Sequence, residues 1–206
     1  MYTGIVKGLF EVKSVQKSTD LIHYSVALTD ELVKGLEIGA SVSVDGVCQT
    51  VIKIEGDKVY FDAIQETLEK TTLDELFSGR MVTIERSLKM GDEIGGHMMA
   101  GHVYGTASIE NIKTDGNRYS LNFRCPKDWM KYILSKGFIG LDGASLTVGN
   151  VEDSGIFVVH LIPETLRLTT FGFKKEGDRV NVELDPQTKA IVDTVERFTI
   201  QKLQSN

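Results

Sequence analysis

Few side chains in this sequence are equipped for chemistry. The 206 residues include two cysteines, Cys48 and Cys125, and four histidines. A thiol can serve as a nucleophile or a polar contact, although the ordinary fate of a free cysteine is that of a small buried hydrophobe. An imidazole titrates near neutral pH, which suits His102 to work as a general base or acid. The alternative for His102 is a structural histidine bonded to backbone. The hydroxyls of Thr50, Thr67, Ser145, Thr147 and Thr165 suit contacts with a polar ligand, and threonine also favours sheets for packing reasons alone. His97 and His160 do not share metal-ligand spacing with His102 and a carboxylate, so no metal site is expected.

These residues gain meaning from where they recur. Gly4-Ile5-Val6-Lys7-Gly8 matches Gly101-His102-Val103-Tyr104-Gly105, a step of 97 residues. At the same step Asp45-Gly46-Val47-Cys48-Gln49-Thr50-Val51 matches Asp142-Gly143-Ala144-Ser145-Leu146-Thr147-Val148. One residue later in phase, Glu66-Thr67-Leu68 matches Glu164-Thr165-Leu166, and Thr71-Thr72 matches Thr169-Thr170. Gly79, Val82 and Glu85 then match Gly177, Val180 and Glu183. Several blocks in one order at nearly one step indicate duplication of a unit of roughly 90 residues, an ordinary domain size. The expected divisions are 1–97, 98–186 and a tail at 187–206.

Each copy reads as short strands. Val42 and Val44 alternate with Ser41 and Ser43, a period of two. Val51, Ile52 and Ile54, then a Glu55-Gly56-Asp57 turn, then Val59-Tyr60-Phe61, predict a hairpin. Val82-Thr83-Ile84 and Val180-Asn181-Val182 close the copies with a strand each. Polar turns between short strands point to a small closed antiparallel barrel, which leaves no exposed edge. One short helix per copy is expected, at Asp30–Lys34 and Lys127–Leu134. Lys89–Gly96 is the nearest thing to a boundary. The tail differs: Gln187–Leu203 lacks glycine and proline and sets Ile191, Val195, Phe198 and Lys202 on one stripe, the mark of an amphipathic helix. It either covers a barrel or meets copies of itself.

Composition narrows the function. With 23 Lys plus Arg against 29 Asp plus Glu the net charge is −6, and no basic run exists, so nucleic acid and anionic membranes are not expected partners. An apolar fraction of 41% is ordinary for a globular protein, and no stretch is long enough to predict a transmembrane helix. Two cysteines outside a CxxC pair, and a start without a signal-peptide pattern, predict free thiols and a cytoplasmic location.

The sequence resembles the riboflavin synthase family of the single-chain, trimeric type. The resemblance is carried by Met1-Tyr2-Thr3-Gly4-Ile5-Val6, by Asp45 to Val51, by Gly95-Gly96-His97-Met98-Met99-Ala100-Gly101-His102-Val103, and by Lys136 to Val148. Leu161-Ile162-Pro163-Glu164-Thr165-Leu166 and Val180-Asn181-Val182-Glu183-Leu184-Asp185 complete it. It implies a mainly β fold of two homologous six-stranded antiparallel closed barrels plus a C-terminal α-helix. It implies dismutation of two 6,7-dimethyl-8-ribityllumazine molecules by four-carbon transfer, giving riboflavin and 5-amino-6-ribitylaminouracil, with no metal or organic cofactor. It also implies a homotrimer held by the 187–206 helix, with the productive site between the N-barrel of one subunit and the C-barrel of a neighbour. Three positions depart from the family pattern: Tyr2 where Phe is usual, Gln49 where Leu is common, and Tyr104 where Asp is common.

The resemblance assigns ligand-contacting segments that coincide with the repeated blocks. One site would use Gly4, Ile5, Val6, Cys48, Gln49, Thr50, Asp62, Ala63, Ile64, Gln65, Glu66 and Thr67. The other would use Gly101, His102, Val103, Ser145, Leu146, Thr147, His160, Leu161, Ile162, Pro163, Glu164 and Thr165. Lys136 would reach across a subunit boundary. His102 is then a candidate to take or give the donor's methyl proton, and Cys48 a nucleophile or polar contact at the acceptor ring. Ser145, Thr147, Ser41 and Asp185 are candidate hydroxyl or carboxylate partners. Ser41 and Asp185 stand outside the duplicated segments and are expected far from them. The copies differ where two roles would need them to: Cys48 aligns with Ser145, Ile5 with His102, and Gly39 with Lys136. A non-catalytic lumazine- or flavin-binding protein on the same duplicated barrel is the main alternative, and the retention of Cys48, His102, Ser145 and Thr147 argues against it. A flavin oxidoreductase would predict a GxGxxG fingerprint, which Gly91–Gly96 does not supply.

Overall fold

The computed structural model describes residues 1–116 and 118–204. Six strands form the first barrel: β1 (Leu9–Lys17), β2 (Leu21–Ala27), β3 (Ser41–Val44), β4 (Val47–Glu55), β5 (Lys58–Ile64) and β6 (Met81–Arg86). Six more form the second: β7 (Gly105–Asp115), β8 (Arg118–Arg124), β9 (Phe138–Leu141), β10 (Ala144–Glu152), β11 (Ile156–Leu161) and β12 (Arg179–Leu184). Both close in the same order, β1-β2-β5-β4-β3-β6 and β7-β8-β11-β10-β9-β12. Every strand pair is antiparallel. The duplication and the paired closed barrels expected from the repeat are therefore present.

Period-two patterning builds each interior. In β4, Val47, Gln49 and Val51 point inward while Cys48 and Thr50 face out. Ala144, Leu146 and Val148 point inward in β10, with Ser145 and Thr147 outward. The first core gathers Val12, Tyr24, Val42, Phe61, Leu73 and Ile84. The second gathers Ile109, Leu121, Phe123, Phe157, Phe171 and Val182. Phe123 stacks on Phe157 at 5.2 Å and meets the edge of Phe171 at 6.1 Å, filling the barrel with rings that contribute roughly 2–3 kcal/mol each on burial.

Among the described residues α-helices fall at four places. α1 (Asp30–Val33) lies within the expected stretch, and α4 (Pro186–Gln204) is the predicted tail helix. The tail's last residues, Ser205 and Asn206, lie outside the described residues. The helix expected at Lys127–Leu134 is instead a 3-10 turn at Lys127–Tyr132. Its buried anchors, Trp129 and Tyr132, stand three residues apart, which matches the three-residue turn of a 3-10 helix. Two further helices were not expected, α2 (Gln65–Lys70) and α3 (Pro163–Leu168). Each follows the last strand of a hairpin, and six residues are too few to display a helical period.

The two barrels meet at their Asp-Gly turns. Asp45 and Asp142 adopt φ of 45° and 44°, and Gly46 and Gly143 follow at 81° and 82°, so each pair forms a two-residue hairpin turn with positive φ at both positions. Asp45 Oδ1 accepts from the Thr83 amide at 2.7 Å, and Asp142 Oδ1 from the Asn181 amide at 2.8 Å. The same two residues also reach across the interface. The Thr83 hydroxyl donates to the Asp142 carbonyl at 2.5 Å, and the Asn181 amide group donates to the Asp45 carbonyl at 2.8 Å. Arg80 and Lys174 approach the outer oxygens of Asp45 and Asp142 at 3.3 and 3.2 Å.

Burial, with Asp142 nearby, pushes the Asp45 carboxyl up from 3.8 to about 6, against the pull of Arg80 and Lys174. A carboxyl raised in the fold costs nothing where it is protonated in both states. Its penalty builds as pH climbs from the unfolded value through the folded one, and is fully present above it. Denaturant titrations of the native chain and Asp45→Asn should therefore diverge between pH 4 and pH 7. The variant is expected to gain relative stability as pH rises. A difference that is flat across this window would contradict the assignment.

Candidate functional site

The leading segment of each copy lies between the barrels rather than on its own. Tyr2 and Met99 pair as an isolated antiparallel bridge, their amides and carbonyls exchanging bonds of 2.8 and 2.9 Å. From this pair each segment runs onto the opposite barrel. The Cys48 amide on β4 donates to the Gly101 carbonyl at 2.9 Å, and the Ser145 amide on β10 donates to the Gly4 carbonyl at 2.9 Å. A Cβ on Gly101 would sit 2.7 Å from that of Cys48, and one on Gly4 would sit 2.5 Å from that of Ser145, so glycine is required at both crossings.

The expected grouping of segments is thereby corrected. A pocket of about 270 Å³ beside the first barrel is lined by Cys48, Glu66, Thr67, Lys70, Gly101 and His102, among others. Gly101, His102 and Val103 thus join Cys48 and α2, while Gly4 joins Ser145. Alignment by a fixed step pairs equivalent residues, but it does not say which copy supplies them to which barrel.

The two places carry unlike polar groups. Beside Cys48, the buried phenol of Tyr2 donates to Sγ at 3.2 Å, so the hydroxyl at this departure from the family pattern is bonded to the thiol. Burial raises the Tyr2 phenol far above its ordinary range, so it remains a donor. His102 is exposed at the pocket edge. Beside Ser145, Oγ lies 2.6 Å from Nδ1 of His97, whose ring stacks on Phe138 at 5.0 Å. Burial holds the His97 imidazole below its ordinary range, partly opposed by Asp185. Nε2 of His97 is buried with no hydrogen-bond partner among the described residues. In the sequence His97 stands in a motif that carries the family resemblance and fails as a metal ligand, but it has no assigned site role. It precedes the second copy's start and has no counterpart in the first, so no repeat argument could single it out.

Ser41 and Asp185, expected at a distance, lie close. Ser41 stands directly opposite Thr50 in the β3–β4 ladder, as Ser43 stands opposite Cys48. Asp185 accepts from the Thr188 amide and hydroxyl at 2.8 and 2.6 Å, capping α4, and still acts on His97. Strand pairing and the chain's turn into α4 bring both residues back to the site, which separation along the sequence does not reveal.

Other expected contacts are engaged elsewhere or contribute backbone. Gln49 is buried and accepts from Tyr24 at 3.2 Å inside the first barrel, where the second holds Leu121 and Leu146. Val6, Ala63, Leu146 and Leu161 are buried. The Asp62 carboxylate pairs with His23 at 2.7 Å across β5 and β2, and His160 pairs with Ser120 at 2.8 Å across β11 and β8. Ile5, Ile64, Gln65, Glu66, Ile162, Pro163, Glu164 and Thr147 are exposed, Thr67 and Thr165 are half-buried, and of these Glu66 and Thr67 line the Cys48 pocket. Lys136 is exposed and adopts φ of 67°, where Gly39 in the first copy adopts 89°. Each donates its amide equivalently, to Val148 and to Val51, at 2.8 Å. A lysine thus occupies a left-handed position that the other copy fills with glycine.

Comparison with known proteins agrees with this architecture. The model of the lumazine binding domain matches residues 3–87 and again 100–185. A riboflavin synthase of Escherichia coli is 50% identical over 96% of this chain and 92% of its own length. That of Chlamydia pneumoniae is 48% identical over 96% of each. Among solved structures, LumP complexed with riboflavin superposes with a TM-score of 0.82 at 30% identity, over 90% of this chain and all of that one (100%). LumP complexed with 6,7-dimethyl-8-(1'-D-ribityl) lumazine gives 0.80 at 30% identity, over 89% and 98%. Two matched domains and near-complete relatives at half identity follow the same division that the paired barrels display, and the chain belongs to the riboflavin synthase family of transferases.

Proposed function

We propose that this chain dismutates 6,7-dimethyl-8-ribityllumazine, one molecule giving a four-carbon unit to another, with riboflavin and 5-amino-6-ribitylaminouracil as products. The observation that carries the reading is the pair of equivalent places with unlike polar groups. Cys48, Tyr2 and His102 gather at one. Ser145 and His97 gather at the other. Identical reactants that play different roles need such a difference. Holding two reactants in register can lower a barrier by roughly 7–11 kcal/mol at best, so binding carries much of this catalysis.

In this reading Cys48, Ser41 and Thr50 present polar contacts to one ring, and His102 exchanges the methyl proton. Ser145 and Thr147 contact the second ring. His97 keeps Ser145 Oγ in place, and its unpartnered Nε2 supplies a further polar contact. Asp185 supports His97 from the start of α4. Backbone at Gly4–Val6, Gly101–Val103, Asp62–Thr67 and His160–Thr165 offers amides and carbonyls to the pteridine edge and ribityl chain. No metal or organic cofactor takes part. Free thiols at Cys48 and Cys125 accord with a cytoplasmic location.

We also propose a homotrimer in which α4 is the contact and Lys136 reaches a neighbour's ligand. Val192 of α4 packs on the second barrel, while Tyr132 and Lys131 bond Asp193 and Glu196. Another stripe is left open: Ile191, Val195 and Phe198 are 65%, 58% and 69% exposed. A stripe of that kind needs a partner. The departure at Tyr104 fits this picture, since its ring packs edge-on against Trp129 and Tyr132 under Lys189 and so steadies α4.

Incubation of the purified protein with 6,7-dimethyl-8-ribityllumazine alone should yield riboflavin and an equal amount of the diaminouracil. Binding without turnover would establish the non-catalytic alternative instead. Removing residues 187–206 should give a monomer on sizing that still binds riboflavin but turns over poorly, and a fully active monomer would sink the trimer proposal. Lys136→Gly should raise thermal stability by about 1 kcal/mol through relief of left-handed strain, yet reduce turnover. A stabilised variant with unchanged turnover would remove Lys136 from the site.

A further inference from the structure

The carboxylates of Glu85 and Glu183 lie in the middle of the crossing, and neither has a role in the chemistry above. Glu85 is the penultimate residue of β6 in the first barrel. Its Oε1 accepts from the Thr3 amide at 2.7 Å and the Thr3 hydroxyl at 2.8 Å, and its Oε2 accepts from the Gly4 amide at 2.9 Å. Glu183 is the penultimate residue of β12 in the second barrel. Its Oε1 accepts from the Ala100 amide at 2.6 Å and its Oε2 from the Gly101 amide at 2.9 Å. Both are buried, and a buried carboxylate that accepts two adjacent amides fixes the backbone between them with charge-assisted bonds.

What each clamp holds is not a wall of its own barrel. Gly101, gripped by Glu183 of the second barrel, offers its carbonyl to the Cys48 amide and continues into His102 and Val103, which line the Cys48 pocket of the first. Gly4, gripped by Glu85 of the first barrel, offers its carbonyl to the Ser145 amide of the second. We propose that Glu183 and Glu85 are positioning residues that act crosswise: Glu183 on barrel two shapes the Cys48 pocket of barrel one, and Glu85 on barrel one shapes the Ser145 site of barrel two. The proposal rests on the reading of both places as ring-binding sites. It goes further by naming the residue that sets each one from the opposite barrel.

The test uses Glu183→Gln and Glu85→Gln in a Cys125→Ser background, so that Cys48 is the sole thiol. A glutamine keeps the shape but offers one acceptor oxygen, and its own N–H groups face an amide donor. Without ligand, the alkylation rate of Cys48 by iodoacetamide should change severalfold in Glu183→Gln and stay near the parent rate in Glu85→Gln. With riboflavin as probe, Glu183→Gln should need about tenfold more ligand to protect Cys48, the loss of one charge-assisted hydrogen bond. The riboflavin concentration that shifts the His97 ring resonances should hold. Glu85→Gln should do the reverse. A Glu183→Gln protein that spares Cys48 and disturbs His97, or that weakens both sites equally with a native melting temperature, overturns the crosswise assignment. If riboflavin neither protects Cys48 nor shifts His97 in the parent, the ring-binding reading fails, and the ligand-free alkylation rates still decide the wiring. Should Glu183→Gln not fold, the Cys125→Ser parent, with both glutamates intact, carries the test. Attaching a bulky maleimide to Cys48 should speed hydrogen exchange at the Ala100 and Gly101 amides and leave Thr3 and Gly4 unchanged, and the opposite pattern overturns the proposal.

Discussion

A Cβ on Gly46 would lie 2.6 Å from the backbone nitrogen of Gly143, and one on Gly143 would lie 2.8 Å from that of Gly46. No side chain fits between these two turns, so the barrels approach backbone to backbone. That approach allows Thr83 and Asn181 to bond the opposite turn's carbonyl, and it brings Asp45 and Asp142 close enough to need Arg80 and Lys174 beside them. It also brings β4 and β10 within reach of the leading segments of the opposite copies. A wider gap would leave Gly4 and Gly101 short of Ser145 and Cys48. Their carbonyls, and the amides that meet them, would then lack partners at a cost of roughly 1–3 kcal/mol for each buried group.

Within this shared frame the copies have diverged in ways that respect the frame. Tyr24 and Gln49 bond one another inside the first barrel, where Leu121 and Leu146 pack in the second. One barrel thus admits a satisfied polar pair at no loss of fit, and the departure at Gln49 is a matter of packing. Differences nearer the surface bear on chemistry. A thiol bonded by a phenol in one copy stands where the other has a hydroxyl bonded to an imidazole, and glycine at 39 corresponds to a strained lysine at 136. Duplication supplied two equivalent sites, and substitution at a few outward positions made them unequal.

Much of the fold was legible because local rules decide it. The Glu55-Gly56-Asp57 turn between apolar runs announced the β4–β5 hairpin, a period-two run announced β3, and a glycine-free stripe announced α4. The family's residues at these blocks pointed to Cys48, His102 and Ser145. The missing parts share a physical cause: they depend on three-dimensional closure. Crossing the leading segments changes no local preference, so Gly4 and Gly101 look the same in either arrangement. Ser41 returns to Thr50 only through a ladder, and Asp185 reaches His97 only because the chain turns into α4. α2 and α3 are one and a half turns long, held by their place after a strand rather than by any period.

The crossing also constrains how such a molecule could have begun. A half-length chain with this geometry completes neither pocket by itself, since each pocket borrows a wall from another copy. Two half-chains exchanging their first residues would complete both, which is the arrangement of a strand-swapped symmetric dimer. Joining the halves through the stretch after β6 makes that exchange intramolecular, so pocket formation no longer depends on protein concentration. Symmetry obliges a homodimer to carry every substitution twice. A fused chain is free of that obligation, and the difference between Cys48 and Ser145 is a difference that only the fused chain can hold.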